Sequence, residues 1–105
     1  MAQAAVAAAQ DKKARDIITL EIKKLSTIAD YFVIMSAGST AQAQAIADYI
    51  EEKLLERQRA VLRREGYNRA NWILLDFGDV VVHIFKEEDR RFYNLEQLWG
   101  DAPSL

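Results

Sequence analysis

The chain has 105 residues, half of them apolar and ten aromatic, which suits one domain that buries roughly 65% of its unfolded surface and leaves no room for two. Fourteen Lys and Arg against sixteen Asp and Glu give a net charge of −2, which argues against a non-specific nucleic-acid binder, since that needs surplus positive charge to displace counterions. The absence of cysteine excludes disulfide frameworks, thiol catalysis, Cys-ligated zinc and iron–sulfur clusters, and no apolar run approaches the roughly 20 residues a membrane span requires.

Residues 2–9 are nearly all alanine, with Gln3 and Val6 among them, and Asp11-Lys12-Lys13-Ala14-Arg15 follows. A secretory signal carries its positive charge before the apolar stretch, and an organelle presequence is rich in Arg and Ser; this segment fits neither. Alanine has the highest helix propensity, so a helix over about residues 2–14 is expected. Its apolar face is weak, so light docking and fraying at the first residues are expected as well.

Ile17–Ile22 reads as a first strand and Lys23–Thr27 as the loop after it. Tyr31–Ser36 is apolar almost throughout, as in a central strand covered on both faces. After Ala37-Gly38-Ser39 a helix opens, with Ser39 and Gln42 spaced as a capping box. Ala43, Ile46, Ala47, Ile50 and Leu54 form one apolar stripe along it. A weak strand is expected at residues 60–64 and a loop at 66–71. Trp72–Phe77 and Val80–Phe85 are the clearest strands, joined by Gly78-Asp79, a composition suited to a two-residue hairpin loop. Glu87, Glu88 and Asp89 load acid onto a helix start, with Phe92, Leu95, Leu98 and Trp99 at helical spacing behind them and Gly100 and Pro103 to end it. The expected order is α-β-β-α-β-β-β-α, an α/β (α+β) fold with a mixed five-stranded sheet and flanking helices.

If Phe77 pairs with Val80, then Asp76 faces Val81, Leu74 faces His83 and Trp72 faces Phe85. Side chains alternate along a strand, so Ile73, Leu75, Phe77, Val80, Val82 and Ile84 share one wholly apolar face, which must lie under helices. The other face carries Trp72, Leu74, Asp76, Val81, His83 and Phe85. Two readings of it stand at this point. It is a second core layer with a satisfied histidine, or it is a docking face, since Trp anchors with a polar rim are what interfaces use.

Catalytic chemistry is thin. One histidine without cysteine cannot complete a zinc site, and no cluster has ligand spacing. Asp76-Phe77-Gly78 spells the kinase magnesium tripeptide, but the chain is less than half a kinase domain and lacks the other parts. Gly38-Ser39 before a helix could offer N–H groups to a phosphate. A nucleotidyltransferase also needs a carboxylate pair at i and i+2 on a strand to hold two metal ions, and no strand offers one. Arg57, Arg59, Arg63 and Arg64 could touch RNA, yet Glu56 and Glu65 flank them, as in a solvated loop.

The runs Ile28–Ile34, Gly38-Ser39, Ala45–Asp48, Trp72–Phe85 and Phe92–Ala102 together resemble the ribosomal silencing factor family, to which the plant Iojap proteins are related. The resemblance runs from about Ala14 to Pro103, and the hairpin stretch is its most specific part; the loop Tyr67–Asn71 and the arginine-rich turn before it depart from the pattern. It divides the chain into an alanine-rich helix at 1–14 and a single domain at 15–103. It implies a nucleotidyltransferase-like sheet without the catalytic carboxylates, and a non-enzymatic protein with no cofactor and no metal. The implied partner is large-subunit ribosomal protein fourteen on the large ribosomal subunit. Occupying that face would block the small subunit and repress translation under nutrient limitation. A minor ribosomal RNA contact and a homodimer off the ribosome are also implied, with no membrane and a bacterial cytoplasmic setting. Trp72, Leu74, Asp76, Asp79, Val81, His83, Phe85 and Tyr93 are then the expected partner-binding residues. The competing class is a nucleotide-binding or nucleotidyltransferase-type enzyme.

Overall fold

Alanine-rich and β-branched segments settle into separate elements in the computed structural model, which describes residues 1–94. These are α1 (Ala2–Asp11), β1 (Arg15–Glu21), β2 (Tyr31–Ala37), α2 (Thr40–Glu56), β3 (Arg63–Glu65), β4 (Trp72–Asp76), β5 (Val80–Lys86) and α3 (Glu87–Tyr93). The strands form one mixed sheet in the order β1-β2-β5-β4-β3, with β2 and β5 parallel and the other neighbours antiparallel. The element order and the five-stranded sheet match the sequence reading.

The hairpin register is the one the alternation dictates: Trp72 faces Phe85, Leu74 faces His83 and Asp76 faces Val81. The Phe77 N–H donates to Val80 O at 2.9 Å and closes the turn, while Gly78 takes a φ of +98°, which a side chain would resist. Asp76 Oδ1 accepts from the Gly78 N–H at 2.8 Å, an Asx turn that fixes the loop locally.

α2 buries the stripe named above: Ala43, Ile46, Ala47, Ile50 and Leu54 are all fully buried. Ser39 caps it, its hydroxyl accepting from the Gln42 N–H at 3.1 Å. The return bond of the capping box falls one residue earlier than expected, because Gln42 Oε1 accepts from the Gly38 N–H at 2.7 Å. Gln42 Nε2 then donates to Lys13 O at 3.1 Å, tying the start of α2 to the end of α1.

Three expectations are corrected. α1 does not dock lightly: Ala5, Ala8 and Ala9 are buried in the same core as α2, because methyl-sized side chains let two helices approach closely. β3 begins at Arg63 and not near Ala60, and all three of its residues are exposed. α3 ends at Tyr93, with its cap Asn94 in the left-handed region (φ 48°, ψ 48°), where the helical spacing continues past Phe92, and Phe92 is 81% exposed. Leu95, Leu98, Trp99, Gly100 and Pro103 lie outside the described residues.

Candidate functional site

The two faces of the sheet differ in what covers them. Ile73, Leu75, Phe77, Val80, Val82 and Ile84 are at most 3% exposed and pack in one cluster with the buried alanines and isoleucines of α1 and α2. The opposite face carries a smaller cluster of Leu20, Ile22, Ala29, Phe32, Ile34, Val81 and Phe85, with Ile18, Trp72 and Leu74 packed partly exposed against it.

An aromatic stack stands on this second face at the β4–β5–α3 corner. The Trp72 ring lies on Phe85 with centroids 5.0 Å apart and an interplanar angle of 30°. Tyr93 from α3 packs on Trp72 at 4.8 Å and on Phe85 at 5.9 Å, and Phe92 meets Tyr93 edge-on at 5.2 Å. Such pairs prefer offset or tilted geometry, so four rings from three elements make a rigid block. Phe85 is its buried floor, Trp72 its half-buried wall, and Tyr93 and Phe92 its exposed rim.

His83 sits beneath this block. Its ring meets Phe32 edge-on at 4.5 Å, and Nδ1 accepts the Trp72 indole N–H at 3.0 Å. Nδ1 is therefore the unprotonated nitrogen and Nε2 carries the hydrogen. Nε2 itself is buried without a hydrogen-bond partner among the described residues. Burial lowers the imidazole pKa from 6.5 to about 4, so the ring is neutral at physiological pH. A neutral imidazole whose Nδ1 already accepts a hydrogen bond is a support for Trp72, not a proton carrier.

The expected site residues thus divide. Trp72, Leu74 and Asp76 are half-buried and Tyr93 and Asp79 exposed, all open to a partner. Val81, His83 and Phe85, also expected as contact residues, are 4%, 3% and 0% exposed and form the buried floor of this face. The physical reason lies in the packing of β2 and α3, whose Phe32 and Tyr93 close over β5. Asp76 does not reach His83; its carboxylate is engaged by the Gly78 N–H and stands 3.9 Å from Arg63. Asp79 is paired with Arg59, which also donates to Phe77 O at 3.0 Å. The Arg59 hydrogen bond holds the Asp79 pKa below the ordinary carboxylate value, against the opposing effect of partial burial. Both acids brace the hairpin tip.

Three arginines of the basic group are paired: Arg59 with Asp79, Arg63 with Glu65 at 2.8 Å and Arg64 with Glu51 at 3.1 Å, while Arg57 is exposed. At the Gly38-Ser39 turn the Gly38 N–H is already taken by Gln42 Oε1, which lies within 3.3 Å of where a Cβ at Gly38 would stand. Sequence reasoning missed Ile28 and Leu62, exposed by 68% and 71%. Both lie in loops without periodicity, and no pattern signals them.

The family model described as ribosomal silencing factor during starvation matches residues 1–105. A ribosomal silencing factor RsfS from Halalkalibacterium halodurans is 48% identical over 103 residues, covering 98% of this chain and 88% of that protein. The crystal structure of a Chromobacterium violaceum protein superposes with a TM-score of 0.92 at 34% identity, covering 94% of this chain and 82% of that one. A Bacillus halodurans crystal structure gives 0.88 at 42% identity, covering 99% and 94%. With the whole length matched in sequence and nearly all of it in fold, the chain belongs to the ribosomal silencing factor family.

Proposed function

We propose that the chain binds the large ribosomal subunit through large-subunit ribosomal protein fourteen, obstructs joining of the small subunit and so lowers translation when nutrients are scarce. The action is steric and needs no catalysis. The observation that carries this reading is the rigid aromatic block of Trp72, Phe85 and Tyr93, half open on a sheet face without α1 or α2, in a chain of this family. Rings already locked by packing lose little conformational freedom on docking, which is what makes Trp and Tyr effective anchors. A net charge of −2 is complementary to a basic ribosomal protein and poorly suited to bare RNA, so any ribosomal RNA contact is minor. In a bacterial cytoplasm the same face allows self-association off the ribosome.

The test is subunit joining followed on sucrose gradients. The protein added to separated subunits before mixing should reduce whole-ribosome formation, and the protein added after joining should do much less. Unchanged joining at saturating protein rejects the steric reading.

A further inference from the structure

Stacking alone does not fix a tryptophan. Trp72 opens β4 directly opposite Phe85 and lies on its ring at 5.0 Å, which sets the tilt of the indole. The last side-chain torsion of tryptophan is broad and roughly two-fold, so a ring held only by its stack can turn over and exchange the edge it shows to solvent. One contact removes that freedom. His83, two residues before Phe85 and diagonal to Trp72 on the same face, accepts the indole N–H on Nδ1 at 3.0 Å.

Histidine is an unfavourable choice for packing alone at this position. Every other residue of Val80–Phe85 is β-branched or aromatic, and an aliphatic side chain would fill the place beside Phe32 with no polar atom. His83 is 3% exposed, and the Trp72 indole supplies its one hydrogen bond among the described residues, with Nε2 left unpartnered among them. Burying a donor without a partner is destabilising. What the imidazole adds against that cost is the orientation of one neighbouring ring. With its N–H spent on His83, the half-buried indole turns only carbon toward a partner, and docking strands no donor.

We infer that His83 is the positioning residue of the docking face: it touches no partner and acts through Trp72, selecting the indole orientation that the partner meets. This role rests on the proposed docking to the large ribosomal subunit. Without the acceptor, the indole N–H has to turn toward water, and docking has to turn it back.

The test compares His83→Leu with His83→Asn in the full chain, by sedimentation with isolated large ribosomal subunits, thermal unfolding and hydrogen exchange of the Trp72 indole N–H. That resonance is assigned by its loss in Trp72→Phe. Leucine fills the site but accepts nothing, whereas asparagine sets an amide oxygen as many bonds from the backbone as Nδ1 and so restores the acceptor. A residue that merely fills the core would rank leucine above asparagine in melting temperature and in binding alike. A positioning residue separates the two. His83→Leu should melt at or above His83→Asn yet bind about tenfold more weakly than the parent, with His83→Asn within about threefold of it. The indole N–H should exchange slowly in the parent and in His83→Asn and fast in His83→Leu. If His83→Leu does not fold, His83→Phe, which also lacks the acceptor, replaces it. If His83→Asn does not fold, the Trp72→Phe background carries the test: there His83→Leu should cost no further affinity, and a further tenfold loss overturns the role. Affinities that follow the melting temperatures overturn it too. Trp72→Ala tells the two failures apart. Weakened binding in Trp72→Ala with parental binding in His83→Leu overturns the role of His83 alone, and parental binding in Trp72→Ala overturns the docking face with it.

Discussion

The face of the sheet under α1 and α2 and the face opposite contain residues of the same two strands, β4 and β5, yet they are built to different ends. The covered face is apolar at every position from Ile73 to Ile84 and at most 3% exposed. The opposite face buries an imidazole, leaves Trp72 half open and is finished by aromatic rings from α3. One face is optimised for burial. The other accepts an unpartnered polar atom in order to hold a tryptophan still, a pattern that fits recognition better than stability alone.

Removing side chains from the covered face should show the largest effect. Ile84 is fully buried on the central strand, and Ile84→Ala should cost about 4 kcal/mol of stability in denaturant unfolding. Leu74→Ala, half-buried on the opposite face, should cost well under half of that. Equal losses would erase the distinction between the faces.

Acid should act on the opposite face alone between pH 6.5 and 4. The His83 pKa is lowered to about 4 in the folded chain, so the unfolded state takes up a proton that the native state refuses. Stability is then fully present above pH 6.5 and falls through that window, by about 3 kcal/mol at its lower end and beyond. His83→Phe should flatten this part of the pH–stability curve. A wild-type curve that is already flat between pH 6.5 and 4.5 would mean that His83 is not held neutral by burial.

A third substitution separates the ring from its hydrogen bond. Trp72→Phe keeps an aromatic surface on Phe85 but leaves His83 Nδ1 without its donor, so it should cost about 1–2 kcal/mol of stability. In Trp72→Phe/His83→Phe that cost should largely disappear, since both partners are then apolar. Additive losses would show that the indole N–H to Nδ1 bond carries little energy.

The smallest effect belongs to the hairpin tip. Asp79→Asn weakens a half-exposed pair with Arg59 and should cost at most about 1 kcal/mol, less at high salt. A larger, salt-independent loss would promote this pair from a brace to a principal support of the fold.

How far the sequence discloses this arrangement depends on the distance over which each feature is determined. The β4–β5 register follows from alternation and a two-residue turn, both local, and it is legible to the residue. The α2 stripe is legible for the same reason. β3 is misplaced because Arg63-Arg64-Glu65 has no apolar alternation; only its pairing with β4 makes it a strand. The sequence leaves open whether His83 is buried or presented, since Phe32 and Trp72, the residues that enclose it, come from two other strands. The docking of α1 is hidden because alanine signals helix strongly and burial weakly. The candidate site was thus found as a face, while its division into floor and rim required the fold.

Oxidative footprinting in the presence of isolated large ribosomal subunits tests the docking face most directly. Trp72, Tyr93 and Phe92 should become protected from hydroxyl radicals, while Leu55, 61% exposed on α2, stays as reactive as in the free protein. Protection of Leu55 with unchanged oxidation of Trp72 and Tyr93 would place the contact on the helical side and contradict the account.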